Sequence, residues 1–441
     1  MSQDVSVRDA DPEVLKPRRV WWASGRFGKL LLGQSVSAVG SQITFLALPL
    51  IAVMTLGATP GAMGVLGAVD NLPYLLVGLW VGVFVDRHAR RTLMIASDLL
   101  RAVAVVSVPV AAVLGWLSFA QLCIVAFVVG LGNIVFDVAC QAHLPELVAS
   151  DRLVGANGAL QTSASLSMVG APGLVGVLIK LLGAPVAMVI DTCTYVVSIL
   201  CIGAIREPER ALPSAEGSTW DQVVEGWRLV RGDARLVGIA GGASMISIAM
   251  NAAFAVLVFF LANQLGLDAG MIGLVFLAFG VGGAIGAMAV SGLAATIGSG
   301  RVLAGAPLVA AAGLGAFVAL DGAGEAVRLF WVFAGAVAMG AGMLAFSVLA
   351  AGVRQVLAPA EARGRVLGTL RFVELGSMPV GSVIGGIVGE LAGSNAAMVT
   401  AAGLLSLATA WILATPLRSL AGLPEQDGTG TVEEGVCVGG K

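Results

Sequence analysis

Apolar residues run through this sequence in long blocks, without the stripes of a soluble helix or the alternation of a half-buried strand. Short polar breaks separate the blocks. A helix needs about 20 mostly apolar residues to cross a bilayer core. On that measure twelve spans are predicted, over residues 28–54, 61–85, 92–117, 119–143, 155–181, 184–205, 235–262, 269–295, 301–320, 325–352, 365–390 and 395–416. The longest break, 206–234, follows the sixth span. It opens as a linker, "REPERALPSAEGS", and continues "TWDQVVEGWRLVRGD", where Trp220, Val223, Val224 and Trp227 share one helical face. That pattern predicts an amphipathic helix lying on the membrane surface. The expected organisation is a cytoplasmic tail (1–27), a six-helix half (28–205), the linker (206–234), a second six-helix half (235–416) and a disordered tail (417–441). The polar N-terminus lacks a signal-peptide layout, so no cleaved segment is expected.

Composition agrees. Of 441 residues, 58% are hydrophobic and 12% charged, with mean hydropathy +0.94; soluble domains carry about 25% charged residues. The 60 glycines suit helices that approach closely in lipid. A net charge of -2 gives no bulk attraction for nucleic acid, and the 5 cysteines have neither zinc nor disulfide-framework spacing. Charge also predicts orientation. Of the 25 Lys and Arg, only Lys180 and Arg328 fall at the span ends or loops of one side, and Arg101 and Arg371 fall deep within spans. The rest lie in segments on the other side, which is therefore expected to be cytoplasmic, with both termini inside the cell.

The halves read as repeats. "GVFVDRHARRTLMI" follows the second span and "GLAATIGSGRVLAG" follows the eighth, with Gly82 matching Gly292 and Arg91 matching Arg301. Asp86 matches Thr296, so the second copy lacks the acid. Parallel repeats of this kind are typical of transporters whose site lies between the halves.

Gly82, Asp86, Arg87, Arg90 and Arg91 after the second span resemble the loop motif of the major facilitator superfamily, with Ala89 where a glycine is usual. The stretch "LPELVASDRLVGANGALQTSASLSMVGAPGLVG" resembles the macrolide-efflux and enterobactin-exporter-like branch, and Gly170, Pro172 and Gly176 resemble the fifth-span motif of drug–proton antiporters. There, Ala171 interrupts the usual Gly-Pro, and the fourth span lacks the arginine many such antiporters carry. The resemblance implies an all-α membrane protein of twelve helices in two pseudo-symmetric halves, the major facilitator fold. It further implies that the first, fourth, seventh and tenth spans line a central cavity. Gln34, Ser37 and Gln42 would then add polarity, Asn251 would interrupt the seventh span, and Met245, Phe254 and Met343 would contribute an adaptable apolar wall, together with Met250, Met339 and Phe346.

By residue chemistry, Arg87, Arg90 and Arg91 anchor the loop against anionic lipid. Asp86 ends a span, where a helix N-terminus across the interface would be a good partner. The start of the eleventh span, near 363–365, is the expected one, in a contact that would break as the halves part. His88 reads as a solvated loop residue.

Ionisable groups at bilayer depth are functional candidates. Asp70 lies in "VDNLPY", about 15 Å into its span at 1.5 Å per residue, where Pro73 predicts a local break. Arg371 and Glu374 share a face and either pair or leave Glu374 as a proton site. Asp137 either faces the cavity or binds the loop arginines. Asp98 with Arg101 reads as a structural pair, and Asp191 as interfacial. Asp70, Glu374 and Asp137 are thus the candidates for proton coupling, and each also has a purely structural reading.

The expected function is secondary efflux of an amphipathic small molecule by a monomer, driven by protons and needing no cofactor or metal. With Tyr at 2 and His at 2, the chain is poor in the groups a sugar or amino-acid site would use. No Walker-type phosphate loop occurs, and no nucleophile–base pair or metal cluster points to an enzyme. An uptake carrier of the same fold, or a transport-inactive sensor or assembly protein, are the alternatives.

Overall fold

The computed structural model describes residues 25–78, 80–205, 219–318, 324–359 and 362–420. The expected N-terminal tail as far as residue 24, the linker segment 206–218, the tail from 421 and the side chains of Trp220 and Val223 lie outside the described residues.

All the regular structure described is helical. The first half comprises α1 (Arg26–Leu50), α2 (Pro60–Val77), α3 (Val81–Asp86), α4 (Arg90–Leu114), α5 (Phe119–Leu147), α6 (Leu153–Leu182) and α7 (Ala184–Gly203). After α8 (Thr219–Gly232) come α9 (Ala234–Phe259), α10 (Ala269–Ile297), α11 (Ser299–Val318), α12 (Glu325–Leu357), α13 (Arg363–Gly376), α14 (Met378–Ala392) and α15 (Ser394–Ala414). Among the described residues, 11 helical stretches are long and apolar enough to cross a membrane. The second predicted span completes the set of twelve but is divided into α2 and α3. The eleventh also changes helix, at Ser377 between α13 and α14.

The break in the second span is not where Pro73 predicted it. Pro73 sits inside α2, and the helix ends at Gly78. A proline at bilayer depth is tolerated when neighbouring groups satisfy the backbone.

Within the first half, α1 packs on α6 and α7, and α4 on α5 and α7; in the second, α12 packs on α10 and α11, and α9 on α14 and α15. The repeat reaches the backbone. A π-helical turn, Ile51–Thr55, extends α1, and another, Phe260–Gln264, extends α9. Gly57 and Gly266 follow them, each at φ 65, and Gly183 and Gly393 precede the last helix of each half at φ 84 and 86. Such left-handed positions favour glycine. On the outside, Val113, Leu181, Met288 and Leu391 are 73–87% exposed, as lipid-facing side chains must be.

Two buried charged clusters hold the first half together. Arg101 pairs with Asp98, donates to Asn133 Oδ1 at 2.7 Å, and lies 4.7 Å from the ring centroids of both Phe136 and Tyr195. This is the expected structural pair. Asp191 departs from expectation: it is fully buried between α1 and α7, accepting from Thr44 and from Thr194 Oγ1 at 3.1 Å. Its position near a span end gave no sign that Thr44 stands opposite.

Helix α8 docks on α13. Gly226 lies against Thr369 and the Arg365 carbonyl, Val230 is buried, and Glu225 pairs with Arg365. The face toward protein is thus Gly226 and Val230. Val224 and Trp227 remain exposed, with the Arg231 guanidinium 4.8 Å from the Trp227 ring centroid.

Candidate functional site

One end of the bundle carries the Asp86–Arg91 loop and is called the motif face; the other is the far face. A cavity of about 490 Å³ opens between the halves toward the motif face. Its walls come from α2, α3 and α5 on one side and from α13 on the other. Tyr74, Asp137 and Gln141 face Arg371, Phe372 and Thr369 across it. Asp137 therefore faces the cavity and not the loop arginines. Arg371 and Asp137 are solvent-accessible there and lie within electrostatic reach of each other. Neither has a hydrogen-bond or ion-pair partner among the described residues.

Asp70 does not line this space; it lies further along α2. On α2, Gly64 and Gly67 pack against α14, while Tyr74 and Gly78 line the cavity. Asp70 falls between them, half-buried, within electrostatic reach of Tyr74 and with no hydrogen-bond partner for its carboxylate among the described residues. Of the two readings of Glu374, the pairing with Arg371 is not formed. The partner of Glu374 is Arg354 of α12, at 2.6 Å. Glu374 does not line the cavity.

The far face is closed by two equivalent contacts. Gly64 of α2 meets Gly386 of α14, and Gly176 of α6 meets Gly273 of α10. A Cβ on Gly176 would lie 2.6 Å from Gly273 Cα and 2.9 Å from the Ala269 carbonyl oxygen. Only backbones without side chains can approach this closely. Each seam ends in a polar latch. Lys180 Nζ donates to Asp268 Oδ2 at 2.9 Å, at the start of α10. Glu390 Oε2 accepts from the Gly61 N–H at 2.8 Å, in the first turn of α2, where the helix dipole favours an anion. The Lys180 bond, with a second from the Met271 N–H, holds the Asp268 carboxyl below its ordinary range.

Of the fifth-span motif, Pro172 and Gly176 belong to this seal. Gly170 does not: it is exposed, with nothing near its missing side chain. Gly173, packed on Leu277, takes the place expected of it.

The loop motif divides into two roles. Arg90 donates to the Ala142 carbonyl at 2.8 Å and to Glu146 Oε1 at 2.7 Å, and Glu146 also holds His143 Nδ1 at 2.8 Å. Arg91 reaches the Ile202 carbonyl at 3.1 Å. These residues fasten the start of α4 to the ends of α5 and α7. Asp86, Arg87 and His88 are exposed, and Gly82 has open space around it. Asp86 makes no ion pair among the described residues, so the contact expected near 363–365 is not formed here. The cavity separates the two sides at that level, between Val81 and Gly364.

The expected lining residues are elsewhere. None of Gln34, Ser37, Gln42, Asn251, Met245, Phe254 and Met343 lines the cavity. Ser37 is buried in the first half; Gln34 accepts from Cys140 Sγ at 3.4 Å; Asn251 donates to the Ser247 carbonyl at 2.9 Å. Gln42, Met245 and Met343 are half-buried, while Met250, Met339 and Phe346 are buried. Phe254 stacks on Phe276 at 6.2 Å and meets Phe279 edge-on at 5.5 Å. The halves part along α2, α5 and α13, so the apolar faces of α9 and α12 stay in the packed core. Tyr74, Gln141 and Phe372, which the sequence did not single out, take their place.

The family profile described as transmembrane secretion effector matches residues 22–427. Macrolide efflux protein A of Streptococcus pyogenes is 27% identical over 184 residues, 42% of this chain and 45% of that protein. The multidrug efflux pump Tap of Mycolicibacterium fortuitum is 29% identical over 210 residues, 46% of this chain and 51% of that protein. The matched region thus spans about half the length of these relatives. Among solved structures, a bacterial homologue of the iron transporter ferroportin in its inward-facing state superposes with TM-score 0.72 at 16% identity, covering 88% of this chain and 97% of the other. Its outward-facing state superposes with TM-score 0.57 at 17% identity, covering 88% and 99%. An inward-facing bacterial homologue of the lysosomal transporter Spinster gives 0.69 at 16% identity, covering 92% and 98%. With its twelve spans, internal repeat and loop motif, the chain belongs to the transmembrane secretion effector family of the major facilitator superfamily, and is a multi-pass membrane protein.

Proposed function

We propose that this protein exports an amphipathic small molecule across the cell membrane by alternating access, in exchange for protons. The observation that carries the reading is a cavity between the halves that is open on one face and sealed on the other by paired glycine seams. The open face is the one whose segments hold nearly all the Lys and Arg, which supports reading it as the cytoplasmic side, with both termini inside. Substrate enters from that side, the halves close over it, and the glycine seams part to release it outside. The names of the two relatives support the export direction.

Proton coupling needs a carboxylate that meets water from each side in turn. Asp70 stands on α2 between the sealed seam and the cavity and has no fixed cation beside it. Glu374 is held by Arg354 and is the weaker choice. Asp137 is already in the open cavity and serves binding better than coupling.

Expression in an efflux-deficient bacterium, with a panel of macrolides and other amphipathic antibiotics, tests the reading. Accumulation of at least one compound should fall, and a protonophore should restore it. Raised accumulation would make the protein an uptake carrier; no flux of any compound in proteoliposomes would make it a transport-inactive fold. In vesicles loaded with a recognised compound, Asp70→Asn should lose uphill transport under a pH gradient and keep downhill exchange. Normal uphill transport by that variant would remove Asp70 from coupling.

A further inference from the structure

We infer that the cavity selects zwitterionic amphiphiles, with Arg371 receiving the anionic group and Asp137 the cationic one. The inference rests on the reading of this cavity as the transport pathway. Its basis is the charge left over in the cavity lining when the cations on this side of the bundle are traced to partners; Asp70, also without a partner among the described residues, does not line the cavity. Arg101 is held by Asp98 and Asn133, Arg354 by Glu374, Arg90 by Glu146, and Arg365 by Glu225. Arg371 and Asp137 face the same space from opposite halves, within electrostatic reach but beyond ion-pair distance, each without a hydrogen-bonding partner among the described residues; Asp137 also lies within reach of Arg101, whose own bonds go to Asp98 and Asn133.

While the cavity is open, water solvates both groups. Closing it over a substrate removes that water, and an uncompensated charge in a dry site is costly. A monocation would satisfy Asp137 and strand Arg371. A monoanion would do the reverse. A molecule carrying both charges satisfies each with one group and draws the halves together along the line between them. Tyr74, Ile134, Phe372 and Leu375 supply an apolar surface for the rest of the molecule. The guanidinium also fixes direction, because its planar fork matches a carboxylate or phosphate in two bonds.

The test uses the purified full chain in detergent and follows thermal stabilisation against ligand concentration. The probes are leucyl-tryptophan and ciprofloxacin, each with its methyl ester, which keeps only the positive charge, and its N-acetyl derivative, which keeps only the negative. Wild type should bind at least one zwitterion about tenfold or more tightly than both derivatives, a difference of about 1.4 kcal/mol. Arg371→Gln should reduce the zwitterion to the affinity of its ester, and Asp137→Asn to that of its N-acetyl form. Arg371→Lys should restore part of the preference, which a loss of folding would not allow. Ester or N-acetyl binding equal to the zwitterion in both series overturns the inference, as does an undiminished preference in Arg371→Gln. Zwitterion-specific stabilisation without flux would keep the inference and remove export. Flux of a monocation with equal binding of all three forms would do the opposite.

Discussion

Adding one methyl group to the far-face seal should shift the conformational equilibrium. In Gly176→Ala the new Cβ would stand 2.6 Å from Gly273 Cα. Carbon atoms pack best at about 3.5–4.0 Å, so the seam must open by about 1 Å. Both neighbours are backbone, which cannot swing aside as a side chain would. Overpacking of this kind costs about 1–3 kcal/mol. The cost falls only on the state in which α6 and α10 touch, and so raises the population of the opposite state about 5- to 150-fold. Two reporter cysteines on a background without the native ones read the shift: Leu267→Cys beside the far-face latch and Gly368→Cys in the cavity wall. In oriented vesicles with an impermeant thiol reagent, labelling at 267 should speed up and labelling at 368 slow down. Gly386→Ala, at the equivalent position of the second half, should behave alike, with its Cβ 2.6 Å from Gly64 Cα. Gly170→Ala is the control, since it gains the same helix propensity but meets nothing within 4 Å. Unchanged rates in Gly176→Ala, or equal changes in Gly170→Ala, would refute the reasoning.

Four further outcomes are expected. Asp86→Asn should lower transport while membrane insertion stays intact, because the exposed carboxylate contributes no packing; full flux with an unchanged accessibility pattern would leave the loop as a topology anchor alone. Arg354→Gln should destabilise the protein by about 1–2 kcal/mol, since it leaves Glu374 half-buried without its cation; the melting temperature in detergent should recover when Glu374→Gln is added. The Lys180–Asp268 latch should be insensitive to pH near neutrality: the Asp268 carboxyl is held below its ordinary value of 3.8, so its stabilisation is complete above that pH and is lost only as pH falls through the lowered value. Far-face labelling that changes between pH 5 and 8 in wild type but not in Asp268→Asn would contradict this. Cysteines placed at 86–91 and in α8 should react only from the cytoplasmic side in intact cells, and labelling from outside would reverse the proposed orientation.

The linear pattern of apolar blocks was enough to determine the class, the number of spans and the repeat, because lipid demands an unbroken apolar helix for each crossing. The loop motif was legible for the same reason: an arginine is costly in hydrocarbon, so a cluster of three marks the end of a span. Asp70 was legible as a candidate because an acid inside an apolar run is conspicuous wherever it points. What each charge faces was decided by tertiary packing. Glu374 has Arg371 one turn away on its own helix, yet its partner is Arg354, which comes from another helix. Asp191 looked interfacial by position, and only the meeting of α1 with α7 puts Thr44 against it. The lining of the cavity was also out of reach, since it depends on where two rigid halves part. That plane runs along α2, α5 and α13, and it leaves Phe254 and Met250 in the core while exposing Tyr74, Asp137 and Arg371 to water. The glycine seams were present in the sequence at equivalent places in the two halves, Gly64 with Gly273 and Gly176 with Gly386, but 60 glycines hid them. A missing side chain takes on meaning only when another backbone occupies the space it leaves, and that is a property of the assembled bundle.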